Sequence, residues 1–245
     1  MAGVEIQWSA APADRQLTGS DVHVWATGLD TPADRIESLL AILSPDERQR
    51  ADRFVFARDR NRFICGRATL RTILASYLSR HAKDLRFDYG PNGKPALADN
   101  PVYFNAAHSD DLMLVAVTRA CPIGVDVERI RSLAEAGEIA NRFFTAGETA
   151  RLAAVPKHQH DLSFFRLWTR KEACLKARGQ GIAEMLDQIE VSFIPDEPAR
   201  LIAISGNARA AEQWTLEELA PAPQFTAALA APMKGLELTC WHWLG

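Results

Sequence analysis

Glu172 and Lys176 stand four residues apart in the run Phe164–Gly181, with Trp168 four residues before them. Good helix formers fill the run as far as Gly179, which sits where a C-cap glycine is expected, and no proline interrupts it. One helix is expected, with Trp168, Glu172 and Lys176 on a single stripe. A carboxylate and an ammonium then lie side by side next to an indole. An ordinary solvated helix face carries the same pair, worth only about 0.2–0.5 kcal/mol. A second acidic pair upstream points to chemistry. In Pro122–Arg129 apolar and acidic residues alternate as on a strand, so Asp126 and Glu128 project from one face. Two carboxylates from a strand end and one from a helix are what a hard, oxygen-preferring divalent cation such as Mg²⁺ takes, together with substrate phosphate and water. The plainer alternative for Asp126 and Glu128 is the acidic outer face of an edge strand.

The cations cluster elsewhere. Ser44 to Arg71 holds eight arginines (48, 50, 53, 58, 60, 62, 67, 71) against four acids (46, 47, 52, 59), a local +4 in a chain of net charge -3. Phe63, Leu70, Ile73, Leu74 and Tyr77 make a helical apolar face there, leaving Arg58 and Arg62 one turn apart near the helix start. Arginine pairs phosphate bidentately, so a phosphate-rich ligand suits this segment; a salt-bridged exposed helix is the alternative. Tyr89–Pro95 is a turn by composition, with Lys94 at its tip. Val102–Asn105 and Leu112–Val117 read as strands, and the connection between them carries His108. His158 and His160 in a loop after Pro156 are a weak metal signal.

The elements around these residues repeat. Ser44-Pro45-Asp46-Glu47 is a capping box, and Thr145-Ala146-Gly147-Glu148 has the same spacing. Each is followed by a long helical pattern and then by strands, which predicts an α+β fold of two similar halves. Short strand-like pieces over Ile189–Ile194, Leu201–Ser205, Gln213–Leu216, Gln224–Ala228 and Leu236–Trp243 favour an antiparallel sheet in the second half.

At 245 residues, with 47% hydrophobic and 24% charged side chains, the chain has the makings of a packed core. Its net charge argues against bulk binding to nucleic acid. Cys65, Cys121, Cys174 and Cys240 are too scattered for a zinc knuckle or a disulfide framework. No apolar run reaches membrane-spanning length and no signal-like segment opens the chain, so the expectation is a cytoplasmic protein with no membrane partner.

An ordered set of motifs resembles the 4′-phosphopantetheinyl transferases of the larger, two-halved type. It comprises Gly-Lys-Pro at 93–95, Phe-Asn-x-x-His-Ser at 104–109, Gly-Val-Asp-Val-Glu at 124–128, Arg-Phe-Phe at 142–144 and Trp-Thr-Arg-Lys-Glu-Ala-x-Leu-Lys-x-x-Gly at 168–179. The resemblance implies two α+β halves related by a pseudo-twofold, residues 1–118 and 119–245, each a small, mainly antiparallel sheet packed by a long helix, with the site in the cleft between them. It implies transfer of the phosphopantetheine arm of coenzyme A to a serine of an acyl or peptidyl carrier protein of fatty-acid, polyketide or nonribosomal peptide synthesis, by a monomer. Asp126, Glu128 and Glu172 would hold Mg²⁺; Arg62, Lys94, His108 and Ser109 would meet coenzyme A; Lys176 would steady charge on its pyrophosphate, and Glu172 would take the serine proton. Two positions depart from the family pattern: Ala107 replaces a usual serine and Asp110 a common glycine. A Mg²⁺-dependent hydrolase using water at the same site, and a binding module without chemistry, are the competing readings.

Overall fold

The structure, a computed structural model, describes residues 6–12, 15–99, 102–180, 185–195 and 197–244; Gly181, the end of the run read as the long helix, lies outside them. After β1 (Trp8–Ala10) the chain forms β2 (Asp21–Gly28), α1 (Ala33–Leu40), α2 (Pro45–Ala51), α3 (Ala57–Leu78), the hairpin β3 (Phe87–Tyr89) and β4 (Pro95–Leu97), then β5 (Tyr103–Ser109) and β6 (Leu112–Thr118). The same order follows again: β7 (Gly124–Arg129), α4 (Ala136–Phe143), α5 (Ala146–Ala153), α6 (Lys157–Arg178), the hairpin β8 (Ile189–Val191) and β9 (Leu201–Ile204), then β10 (Thr215–Leu219) and β11 (Phe225–Ala231). β12 (Glu237–His242) closes the chain. In the first half β2 pairs with β6 and β6 with β5; in the second β7 pairs with β11 and β11 with β10, all antiparallel. The two α+β halves are thus alike element by element, and α3 and α6 are both 22 residues long.

Period-two alternation on the strands builds the layers. Trp25, Met113, Val115 and Val117 face α3 and pack with its Leu70, Ile73 and Leu74. Val24, Leu114 and Ala116 point the other way, onto Val125, Val127 and Leu229 of the second sheet. Ala228 and Ala230 turn back to α6, beside Leu167, Cys174 and Leu175. The order is helix, sheet, sheet, helix, and a sheet covered on both faces explains why Leu112–Val117 reads as an unbroken apolar run. The four cysteines are free and buried, and among the described residues no helix is long and apolar enough to cross a membrane.

Both capping boxes form, and each glutamate does more than cap. Glu47 Oε2 accepts the backbone N–H of Ser44 at 3.0 Å and Arg71 Nε at 2.6 Å; Glu148 Oε2 accepts Thr145 N–H at 3.0 Å and the ammonium of Lys171. Each carboxylate is almost wholly buried, so the short helix is riveted to the long one by an ion pair. Removing one partner of such a pair costs about 3–5 kcal/mol.

Three details differ from the sequence reading. β5 runs on to Ser109, so His108 lies on a strand and not in the connection; a tight turn at Asp110 and Asp111 suffices, because Asp110 takes the left-handed conformation at φ 51°. α6 starts at Lys157, directly after an N-cap Pro156 whose missing N–H costs nothing there, which puts His158 and His160 in its first turn. β12 is not antiparallel to second-half strands. It runs parallel to β1 and β2 in the order β1-β12-β2-β6-β5, returning the chain end to the first sheet.

Candidate active site

Gly124 sets the distance between α6 and β7. A Cβ there would lie 2.0 Å from the carbonyl oxygen of Ala173 and 2.4 Å from the backbone nitrogen of Ala177, so the helix rests on the bare strand backbone. Gly124, Asp126 and Glu128 share the strand face turned to α6, and Glu172 and Lys176 come from the facing side of the helix. The ion pair that forms is not the expected one along the helix. Lys176 Nζ donates to Asp126 Oδ1 at 2.6 Å, across from helix to strand.

That leaves two carboxylate oxygens stranded. Asp126 Oδ2 and Glu172 Oε2 are buried and have no hydrogen-bond partner. Burial first, with Glu128 adding to it and Lys176 opposing it, pushes the Asp126 carboxyl up to about 6. Burial and then the Asp126 charge push Glu172 up to about 7. Two buried acidic oxygens without a partner are donors that a cation could take. Among the described residues no three ligating side chains are already gathered as a metal-ion set. Glu128 Oε2 accepts the hydroxyl of Ser109 at 2.6 Å.

The first half supplies the other wall. β5 runs beside β7 and is joined to it by side chains: Asn105 Oδ1 accepts the N–H of Val125 at 2.8 Å, and Ser109 Oγ accepts that of Arg129 at 3.1 Å. Ala107 stands between them, its methyl buried in the core between the sheets. His108 points to the opposite side and lines a cavity of about 690 Å³ with Arg50, Arg58, Arg62, Arg67 and Asp110. Desolvation and Lys176 hold the imidazole below its ordinary pKa while Glu128 pulls it up.

The remaining expected ligands are already engaged. Arg62 Nε donates to Asp30 at 2.7 Å and its NH1 to Asp110 at 2.7 Å, and both carboxylates raise its pKa further. Lys94 directs its ammonium to the carbonyls of Ile123, at 2.9 Å, and Lys176, at 2.5 Å. Burial and the Lys176 charge lower it to about 8. Ser109 serves Glu128. Asn105, Asn92, Asp30 and the Ser109–Glu128 bond escaped the sequence reading, since no spacing signals a contact between distant segments. The one available sign was Asp110, an aspartate at a position usually held by glycine.

Much of the motif around Glu172 is structural. Arg170 is buried and donates to the Ser192 carbonyl at 2.5 Å and to Glu218 at 2.6 Å, Lys171 rivets Glu148, and Thr169 bonds back to Phe165. Phe144, from Arg-Phe-Phe, packs against Phe164 and Trp168 in the core. Trp168 is therefore packing, and only Glu172 and Lys176 of its stripe face the carboxylates of β7.

Comparison with known proteins agrees with this arrangement. A family described as "4'-phosphopantetheinyl transferase, N-terminal" matches residues 31–120, and the 4'-phosphopantetheinyl transferase superfamily matches residues 122–230, the second beginning just before β7. The chain is 40% identical over 240 residues to the 4'-phosphopantetheinyl transferase HetI of Nostoc sp., covering 96% of this chain and 98% of that protein. It is 34% identical to psf-1 of Bacillus pumilus over 68% of this chain and 71% of that one, and 30% identical to Sfp of Bacillus subtilis over 71% and 78%. With both halves matched by family models and one relative alike over nearly the whole length, the chain belongs to the 4′-phosphopantetheinyl transferases, of the larger two-halved type.

Proposed function

We propose that this protein transfers the 4′-phosphopantetheine arm of coenzyme A to a serine of an acyl or peptidyl carrier protein, releasing adenosine 3′,5′-bisphosphate. The observation that carries the reading is the pair of buried, unpartnered oxygens on Asp126 and Glu172, with Lys176 bonded to Asp126. Asp126, Glu172 and, after a rotation away from Ser109, Glu128 would hold Mg²⁺. Bound there, the ion would neutralise the pyrophosphate and the charge that develops on its leaving oxygen. Residues 1–118 contribute Arg62, His108 and Ser109 to the cleft and residues 119–245 the carboxylates and Lys176, so one chain is complete as a monomer. A cytoplasmic setting fits four free thiols.

Each side chain then has a task. The arginines of the cavity, Arg62 among them, and His108 hold the phosphates at the adenosine end; Arg62 must exchange at least one carboxylate for phosphate. The serine hydroxyl attacks the phosphorus that bears the pantetheine arm, and the bond from that phosphorus to the oxygen of the adenosine bisphosphate breaks. Glu172 takes the serine proton directly or through water. Lys176 stabilises the charge on the departing oxygen. Phosphoryl-type transfer asks mainly for positioning and fixed positive charge, which this cleft offers from both walls.

Intact-protein mass spectrometry of an apo carrier protein incubated with the enzyme, coenzyme A and Mg²⁺ tests the reading. The carrier gains one phosphopantetheine arm, and EDTA abolishes the gain. Coenzyme A consumed with no carrier modified, across fatty-acid, polyketide and peptidyl carriers, would show a hydrolase instead; neither consumption nor modification would show a binding module.

A further inference from the structure

The turn between β3 and β4 belongs to the first half, yet its side chains end on the backbone of the second. Asn92 Nδ2 donates to the Gly179 carbonyl at 3.1 Å, and Lys94 Nζ donates to the carbonyls of Lys176 and Ile123. Gly179 is the left-handed C-cap of α6, Lys176 lies in its last turn, and Ile123 immediately precedes Gly124. One ammonium therefore bridges the end of the helix and the start of the strand at the place where the two touch. The last carbonyls of a helix have no partner within it, and a cation at that end is favoured by the helix dipole. The turn is built for this reach: Gly90 N–H bonds to the Lys94 carbonyl at 3.0 Å, Gly93 N–H to the Gly90 carbonyl at 2.9 Å, and Gly93 takes φ +74°.

We infer that Lys94 and Asn92 are positioning residues, a clamp from the first half that fixes the end of α6 so that the side chain of Lys176 meets Asp126. Lys176 is held twice: its backbone carbonyl by Lys94 and its ammonium by Asp126 Oδ1 at 2.6 Å. Releasing the first loosens the second, and with it the cation set for the developing charge. The clamp commits the Lys94 ammonium to these carbonyls, where the family resemblance places it on coenzyme A. The effect on turnover rests on the transferase reading; the effect on α6 does not.

Lys94→Met and Asn92→Ala test the clamp by two readouts. Hydrogen exchange of the amides at Gly179 and Gln180, which bond to the carbonyls of Lys176 and Leu175, should accelerate about tenfold in Lys94→Met and less in Asn92→Ala. In carrier loading, kcat should fall about 30-fold or more in Lys94→Met and several-fold in Asn92→Ala, while calorimetric affinity for coenzyme A and its preference over 3′-dephospho-coenzyme A stay as in the wild type. A phosphate ligand would do the reverse: tenfold weaker coenzyme A binding, loss of the preference for the 3′-phosphate, and wild-type kcat at saturation. That result, or wild-type exchange in both variants, overturns the inference. If Lys94→Met does not fold, Asn92→Ala alone decides by the same criteria. Failure of the wild type to load any carrier would count against the transferase reading, and exchange would still judge the clamp.

Discussion

Replacing Gly124 by alanine tests whether the contact of α6 with β7 sets the geometry of the site. The new Cβ would lie 2.0 Å from the Ala173 oxygen and 2.4 Å from the Ala177 nitrogen, where ordinary contact begins near 3.4 Å. The helix must therefore retreat by about 1.4 Å at Ala173. Both clashing atoms are backbone, so no rotamer change relieves them. Nor does the helix slide freely, since Arg170 is tied to Glu218 and Lys171 to Glu148. Overpacking of this kind costs about 1–3 kcal/mol, offset by less than about 1 kcal/mol from replacing glycine in a strand, which leaves about 2 kcal/mol of destabilisation. The effect on rate is larger. A retreat of that size takes the 2.6 Å pair of Lys176 and Asp126 out of hydrogen-bond range and moves Glu172 with it. Misplacing a catalytic group by about 1 Å costs about 100-fold. Urea denaturation and the initial rate of carrier loading, measured well below the melting temperature, read the two effects separately. Gly147→Ala is the control: its Cβ meets nothing within 4 Å and it lies in α5, so stability should rise by up to about 1 kcal/mol with the rate unchanged. Wild-type loading and wild-type stability in Gly124→Ala would refute the argument that this contact sets the register of Glu172.

Metal-free protein should lose stability as pH rises, because Glu172 is raised from 4.5 to about 7: the folded state binds that proton more tightly than the unfolded one, so the group is cost-free below about 4.5 and its penalty grows until about 7. Melts from pH 4 to 8 should show about 3 kcal/mol less of this slope in Glu172→Gln, and Mg²⁺ should raise the melting temperature of the wild type more at pH 8 than at pH 5; an identical slope in the variant would refute the assignment. Asp110→Gly should leave stability almost unchanged, since relief of the φ 51° backbone, worth about 1 kcal/mol, is balanced by lost pairs to Arg62 and Arg129 that are each worth about 1 kcal/mol or less. It also frees Arg62 for phosphate, so calorimetric affinity for coenzyme A should rise about fivefold, and weaker binding would contradict the role of Arg62.

The sequence was most legible where a single element carries the signal. A stripe of residues four apart found the helix of Glu172 and Lys176, and the two-residue period found the strand of Asp126 and Glu128, because both periods are local geometry. The repeated capping-box spacing located both halves. What lay outside its reach was pairing across the fold. Lys176 has a carboxylate one turn away on its own helix and chooses Asp126 instead, and that choice depends on Gly124 bringing the strand close. Arg62 was legible as a cation but not as one held by Asp30 and Asp110, 32 and 48 residues away. The parallel entry of β12 beside β2 had no local mark at all.

The repeat also shows how the two helix–strand seams differ. The buried pairs Glu47–Arg71 and Glu148–Lys171 align α3 with α6, and on that alignment Thr72 corresponds to Glu172 and Ser76 to Lys176. Both hydroxyls bond back into their own helix, Thr72 to the Ala68 carbonyl at 2.8 Å and Ser76 to that of Ile73 at 2.7 Å. The strand beneath them differs in the same sense. Where β7 turns Gly124, Asp126 and Glu128 toward its helix, β2 turns His23 and Trp25, both hydrogen-bonded to the Tyr77 hydroxyl. Trp25 also packs against Trp241 of β12, the ring planes tilted by 57°, so that space is filled with aromatic rings. A glycine and two acids line one helix–strand seam, and aromatic side chains fill its counterpart. The first half then reaches the second in two places: side chains of β5 bond the backbone of β7, and those of the β3–β4 turn bond the end of α6.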